Sequence, residues 1–194
     1  YQADLENLII IIEGCSKKEH KYQKMVYQHY YGFALKIVFR YLYRYEKAVD
    51  VTNDGFVKLF RHFERFIPGP IEDAEKILMG FIKKIMVNSA IDELRKGKML
   101  PEIGGIPEYV WNITNKAHDA DQLLLYKDLI TMVKELPPQY RVVFNMYVID
   151  GYNHLEIADK MNMSVGTSKS CLSRARSMLQ KRIQKIEYAQ ICNI

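Results

Sequence analysis

Apolar positions along this chain recur at spacings of three and four, the repeat of one helical face, and no stretch alternates as a strand would. The first helical stretch covers residues 4–14 around the apolar run Leu8 to Ile12. A longer one follows over residues 17–43, with Val26, Tyr30, Phe33, Ile37 and Tyr41 on one stripe. Ser16-Lys17-Lys18-Glu19 reads as its capping box, in which serine caps the helix and glutamate reaches back to the cap's own N–H. A third helix is expected over residues 46–66, with Val49, Phe56, Leu59, Phe60 and Phe63 inward. Ile67-Pro68-Gly69-Pro70 ends it, because proline lacks the donor and restricts the residue before it. A fourth, over residues 73–96, is apolar on more than one side, with Phe81 and Ile85 on one stripe and Val87, Ile91 and Leu94 on another. Such a helix lies between others. Asn88, Asp92 and Arg95 continue the first stripe as a polar ridge, with Lys83, Lys84, Lys96 and Lys98 nearby. The plainest reading of the ridge, a local Asp92–Arg95 pair, does not account for Asn88 or for the lysines.

The period fails over residues 99–119, where Pro101, Gly104, Gly105 and Pro107 punctuate the chain. A stretch of this length without periodicity reads as an interdomain linker. Trp111 inside it is expected to pack against one domain or to meet a partner. Helices resume over residues 120–135. Leu136-Pro137-Pro138 then places proline in the first turn of a helix through Val148, closed by Gly151. A short helix begins near Leu155 and breaks at Asn162-Met163, and Ser164 caps a last long helix running to about Ile186. The chain is therefore expected to be all-α. Two helical domains, 1–98 and 120–194, are joined by the linker 99–119, and the second is a four-helix unit carrying a helix-turn-helix. The second helix of that motif normally enters the major groove of DNA.

Facing and charge sharpen this reading. Stepping about 100° per residue along the last helix puts Ser168, Leu172, Ala175, Leu179 and Ile183 on one face. Thr167, Ser170, Arg174, Ser177 and Lys181 cluster opposite, flanked by Lys169 and Ser173. Ser168 on the inner face is expected to bond back to the Ser164 carbonyl, so that valine there would stabilise the domain. The net charge of +5 is modest but uneven, for no acidic residue stands between Asp159 and Glu187. That gap holds Lys160, Lys169, Arg174, Arg176, Lys181, Arg182 and Lys185. Cations of one sign on a helix gain nothing from neighbours one turn away, so a polyanion is their natural partner. The alternative, a merely solvated basic helix, leaves the turn chemistry ahead of it unexplained.

An apolar share of 48% over 194 residues is enough for real cores and excludes a disordered polymer. Cys15, Cys171 and Cys192 are far apart, with no spacing for a disulfide framework or a metal site, and a reducing cytoplasm is the expected compartment. Leu8 to Ile12 is too short to cross a bilayer, and without a basic leader it does not read as a signal peptide, so no membrane insertion is expected.

Leu136-Pro137-x-x-Tyr140-Arg141-Val142-Val143-Phe144, Gly151-Tyr152, Glu156-Ile157-Ala158, Ser164-x-Gly166-Thr167-x-Lys169-Ser170 and Arg174-Ala175-Arg176 resemble the C-terminal domain of bacterial sigma factors, most of all the compact extracytoplasmic-function group. In the first half, Ala48-x-Asp50-x-x-Asn53-Asp54-x-Phe56 resembles the segment with which that family grips the polymerase clamp. Asn88-x-x-x-Asp92-x-x-Arg95 resembles its helix for the downstream promoter element. The family usually carries valine where Ser168 stands and often arginine where Cys171 stands. The resemblance implies binding to core RNA polymerase and to promoter DNA, and restraint by an anti-sigma factor. It implies upstream duplex contacts by Thr167, Lys169, Ser170, Ser173, Arg174, Arg176 and Lys181. Contacts to the opened downstream element are implied for Pro68, Gly69, Lys83, Lys84, Asn88, Arg95 and Lys98, and polymerase contacts for Asp50, Asn53 and Asp54. No cofactor, metal or catalytic residue is implied.

Two rival readings stand beside it. A two-domain helix-turn-helix regulator that does not bind core polymerase would share the C-terminal motif, but its sensing half is usually α/β or ligand-binding. An enzyme would need more than the pairs His154/Glu156 and Asp50/Asp54, which come without a nucleophile, a glycine-rich phosphate loop or a metal-ligand cluster.

Overall fold

The computed structural model describes residues 2–96 and 129–192, with side chains for 7–96 and 129–185. The linker 99–119 with Trp111, Lys98, and most of the helix expected over 120–135 lie outside the described residues. The described chain is helical throughout and falls into two units, one running to Leu94 and the other holding residues 129–192.

In the N-terminal unit, α1 (Gln2–Ser16) closes onto α2 (His20–Leu42) in a way the sequence did not announce. The expected capping box does not form. Ser16 stays in α1, where its hydroxyl donates to the Ile12 carbonyl at 3.1 Å. Lys18 turns left-handed at φ 62, and the amides of Lys18 and Glu19 return to the carbonyls of Cys15 and Gly14. This closure satisfies the last carbonyls of α1 and leaves Glu19 as the N-cap of α2. A β-carbon on Gly14 would stand 2.0 Å from the Tyr22 ring, so α1 can approach α2 this closely only without one.

Beyond the left-handed Tyr43, α3 (Tyr45–Arg61) packs on α2. Val26, Tyr30, Leu35, Val38, Phe39 and Tyr41 of α2 and Val51, Phe56 and Leu59 of α3 are buried, whereas Phe33, Val49 and Phe60 are only half-buried. α3 is shorter than expected. It stops at Arg61, and a 3₁₀ turn over Phe63–Arg65 takes its place. The tighter winding lines up residues three apart. Phe63 and Phe66 therefore face the same way, both onto Phe81 of α4 (Ala74–Lys96), with ring centroids 6.2 and 5.2 Å from it. Polar ties join α3 to α4 as well. Lys58 donates to the Ser89 hydroxyl at 3.2 Å and lies 3.9 Å from Asp92, and Lys47 pairs with Glu93 at 2.8 Å. The ridge residue Asp92 thus faces a lysine of another helix.

In the C-terminal unit, helical residues 129–134 give way to a turn at Glu135-Leu136, and Pro137 and Pro138 start α5 (Pro138–Phe144). Arg141, 1% exposed, donates from Nη1 to the Lys134 carbonyl at 2.7 Å, which satisfies an acceptor left over at the preceding helix end. The α-helix expected to run to Val148 instead widens into a π turn over Asn145–Ile149, and Gly151 follows at φ 78. α6 (His154–Met161) begins with a capping box not anticipated from the sequence. Asn153 accepts from the amides of Leu155 and Glu156, and Glu156 accepts from the Asn153 amide. Asn162, left-handed at φ 49, turns the chain into α7 (Val165–Cys192). Ile130, Val133, Val142, Val143, Met146, Ile157, Leu172, Ala175 and Leu179 are buried in this unit. Ile183, expected inward, is 42% exposed. At that level α7 makes polar contacts instead, because Arg182 pairs with Glu135 and donates to the Met132 carbonyl at 3.3 Å.

Candidate nucleic-acid interface

The start of α7 is set by Ser164. Its hydroxyl accepts from the Thr167 amide at 2.9 Å and shares a second bond of 2.9 Å with the Thr167 hydroxyl. Thr167 is half-buried and already engaged in this cap, and Ser170 donates to the Thr167 carbonyl. One turn further, Lys169, Ser170, Ser173, Arg174, Arg176 and Lys181 are all exposed, while Ser168, Cys171, Leu172, Ala175 and Leu179 are buried beneath them. Burial pushes the Cys171 thiol above its usual range, as expected of an inert core cysteine.

Two of the exposed cations are seated on tyrosines. Arg174 donates from Nη1 to the Tyr140 hydroxyl at 3.1 Å, and the Arg176 guanidinium lies over the Tyr147 ring at 5.7 Å. Sequence patterning missed both tyrosines. Their seven-residue separation puts them on one face of α5 and the following turn, and that was the available signal.

Ser168 corrects an expectation. It faces inward at 0% exposure, but its side chain does not bond back along its own helix. The hydroxyl lies 2.9 Å from Nδ1 of His154, the first residue of α6. The imidazole also stacks on Tyr147, at 4.6 Å between centroids. Valine at 168 would therefore lose a bond of about 0.5–1.5 kcal/mol. The gain from its added carbon is about 1 kcal/mol, so Ser168→Val should shift the C-terminal melting temperature little, where a simple core serine would give a clear rise. The same imidazole makes stability depend on pH. Partial burial, then Lys169 and Arg176, hold the His154 pKa below the ordinary imidazole value of 6.5. The unfolded chain then takes up the proton first, so stability present above that value is lost as pH falls through the lower folded pKa. Melts between pH 8 and 5 should show this loss in the wild type and a flatter profile in His154→Asn. Equal slopes would remove His154 as the source.

The N-terminal candidates occupy two places. In the loop after the 3₁₀ turn, Pro68 is half-buried, Gly69 is exposed at φ 69, and Ile67 is 79% exposed. A β-carbon on Gly69 would stand 2.6 Å from Cδ1 of Ile77, so the loop lies close on the first turns of α4. On α4, Lys83 and Asn88 are half-buried, and Lys84 and Arg95 are exposed. Asp50, Asn53 and Asp54 are exposed together on α3. Asn53 is not simply solvated, for its Oδ1 accepts from the Tyr27 hydroxyl at 3.1 Å, and Tyr27 leans edge-on against Phe56. Among the described residues no group of three or more His, Cys, Asp or Glu side chains is placed to hold a metal ion, and no helix is long and apolar enough to cross a membrane.

Comparison with known proteins places both units. The family model "Sigma-70 region 2" matches residues 26–99, and "Sigma-70, region 4" matches residues 126–179, in that order and over more than half of the chain together. The chain belongs to the sigma-70 family, in its extracytoplasmic-function (ECF) group. Similar proteins include the ECF RNA polymerase sigma factor SigE of Mycolicibacterium smegmatis, 26% identical over 76% of this chain and 58% of that protein's length. SigW of Bacillus subtilis is 23% identical over 78% of this chain and 83% of its own length. The sigma-E factor of Haemophilus influenzae is 24% identical over 91% of this chain and 95% of its own. Both family regions are present, and the chain is a sigma factor that directs RNA polymerase in transcription initiation. The region 4 match takes in α5, α6 and the first half of α7, and the region 2 match takes in most of α2 and all of α3 and α4.

Proposed function

We propose that this sigma factor divides promoter recognition between its two units, and that it does so by binding alone. Region 4 reads the upstream element as duplex, with Arg174 and Ser173 at base edges and Thr167, Lys169, Ser170, Arg176 and Lys181 along the backbone. Region 2 holds the opened non-template strand of the downstream element between Pro68-Gly69 and the α4 residues Lys83, Lys84, Asn88 and Arg95, with Lys98 beyond. Asp50, Asn53 and Asp54 meet core polymerase. The protein works in the cytoplasm, and an anti-sigma factor restrains it. The observation that carries this reading is the exposed face of α7. One hydroxyl cap sets the helix start, and every charged residue described on that face is a cation. A regulator indifferent to polymerase would use the same face, but the acidic edge of α3 within region 2 favours the sigma reading.

The test is assembly with core polymerase, followed by selection of promoters from a library. Asn53→Ala with Asp54→Ala should lower core affinity about tenfold, roughly 1.4 kcal/mol. The variant should keep its melting temperature and its affinity for upstream duplex. A core titration indistinguishable from wild type would remove the clamp assignment.

A further inference from the structure

We infer that Tyr140, outside the helix-turn-helix, is a positioning residue that sets which way Arg174 meets a base. The inference rests on the proposed reading of Arg174 as a base contact. Arg174 is exposed, and an arginine on a bare helix surface samples many rotamers that it must give up on binding. Here Nη1 is held by the Tyr140 hydroxyl at 3.1 Å, with the phenol oxygen accepting. The anchor itself is fixed. Tyr140 sits in the first turn of α5, which Pro137 and Pro138 start, and its neighbours Arg141 and Val142 are 1% exposed. Arg141 is tied in turn to the Lys134 carbonyl. The guanidinium carries five donors, so one bond to Tyr140 leaves enough for a two-pronged contact with guanine O6 and N7. The tether therefore orders the arginine before DNA arrives, and affinity gained this way goes only to sites where that orientation meets the right base. Tyr147 seats Arg176 differently, through its ring face, so there the hydroxyl is dispensable.

The probes are the duplex that the full-length wild-type chain enriches most from a randomised pool, and a scrambled duplex of the same composition. Tyr140→Phe should weaken the enriched duplex about three- to tenfold, leave the scrambled one unchanged, and leave the salt slope unchanged because no phosphate contact is lost. Tyr147→Phe should change neither. In Tyr140→Phe with Arg174→Ala, binding should be no weaker than in Arg174→Ala alone, because the two act as one unit. If Arg174→Ala abolishes the preference but Tyr140→Phe keeps it, or if the losses add, the positioning role is overturned while base reading by Arg174 stands. If Arg174→Ala changes neither affinity nor preference, the base-reading proposal fails and the inference falls with it.

Discussion

Replacing Phe63 by alanine should destabilise the N-terminal unit by about 3–5 kcal/mol, the range for emptying a buried aromatic site. Phe63 is 0% exposed and stands among three rings. Its centroid lies 6.4 Å from Phe60, 5.5 Å from Phe66 and 6.2 Å from Phe81, and Phe60 carries the series on to Phe56 at 6.0 Å. The site cannot collapse easily, because the 3₁₀ turn that presents Phe63 also presents Phe66, and both lean on α4. Val57→Ala, at a side chain 56% exposed on α3, should cost under about 0.5 kcal/mol. Thermal melts of the full chain, with hydrogen exchange read in α3 and α4, would measure both. Similar losses in the two variants would mean that the aromatic series is not the core of this unit.

The helices and the inward faces were legible because they depend on period alone. Val26, Tyr30, Ile37 and Tyr41 are buried as their spacing required, and Ser164 caps α7 as its position before the basic run implied. What stayed hidden depends on contacts between segments distant in sequence. A helix end can close on its own carbonyls or open the next helix, and at Ser16 the left-handed turn at Lys18 decided for closure. Phenylalanines at 60, 63 and 66 fit an α-helical period, and only the neighbouring Phe81 shows why the chain tightens there. Asn153-x-x-Glu156 carries the residues of a capping box, but the apolar pattern that marks the helix begins later, at Leu155. The candidate DNA face was legible as charge, but its supports were not. Tyr140 and Tyr147 share only a spacing and His154 has no pattern of its own, and each acquires its role only when α5, the π turn and α6 are packed under α7.

Loss of the Pro-Gly-Pro loop should stop promoter opening without touching duplex recognition. An opened strand is read only when a base leaves its stack, at a cost of a few kcal/mol that the protein must offset by stacking and by hydrogen bonds to the base edge. A loop already ordered loses less entropy on closing over that base. Pro68 and Pro70 fix two φ angles, Gly69 takes a positive φ of 69, and the Asp73 amide returns to the Pro70 carbonyl at 3.1 Å. Next to them, Ile67 presents an apolar side chain at 79% exposure, a surface suited to a base. Asn88 on α4 carries both donors and acceptors, as base-edge reading requires. Replacing residues 67–71 by a Gly-Ser segment, or Asn88 by alanine, should therefore weaken binding of a single-stranded downstream element about ten- to a hundredfold, the range for one base stack. Binding of upstream duplex should not change, because α7 belongs to the other unit. Phe66 is 8% exposed beside the replaced segment, so the loop variant needs a melt to show that the aromatic core is intact. Asn88→Ala provides the same test with that segment untouched. Permanganate footprinting of the opened bubble reads the outcome, and bubbles as strong as wild type in both variants would rule out a base-holding role for the loop and for Asn88.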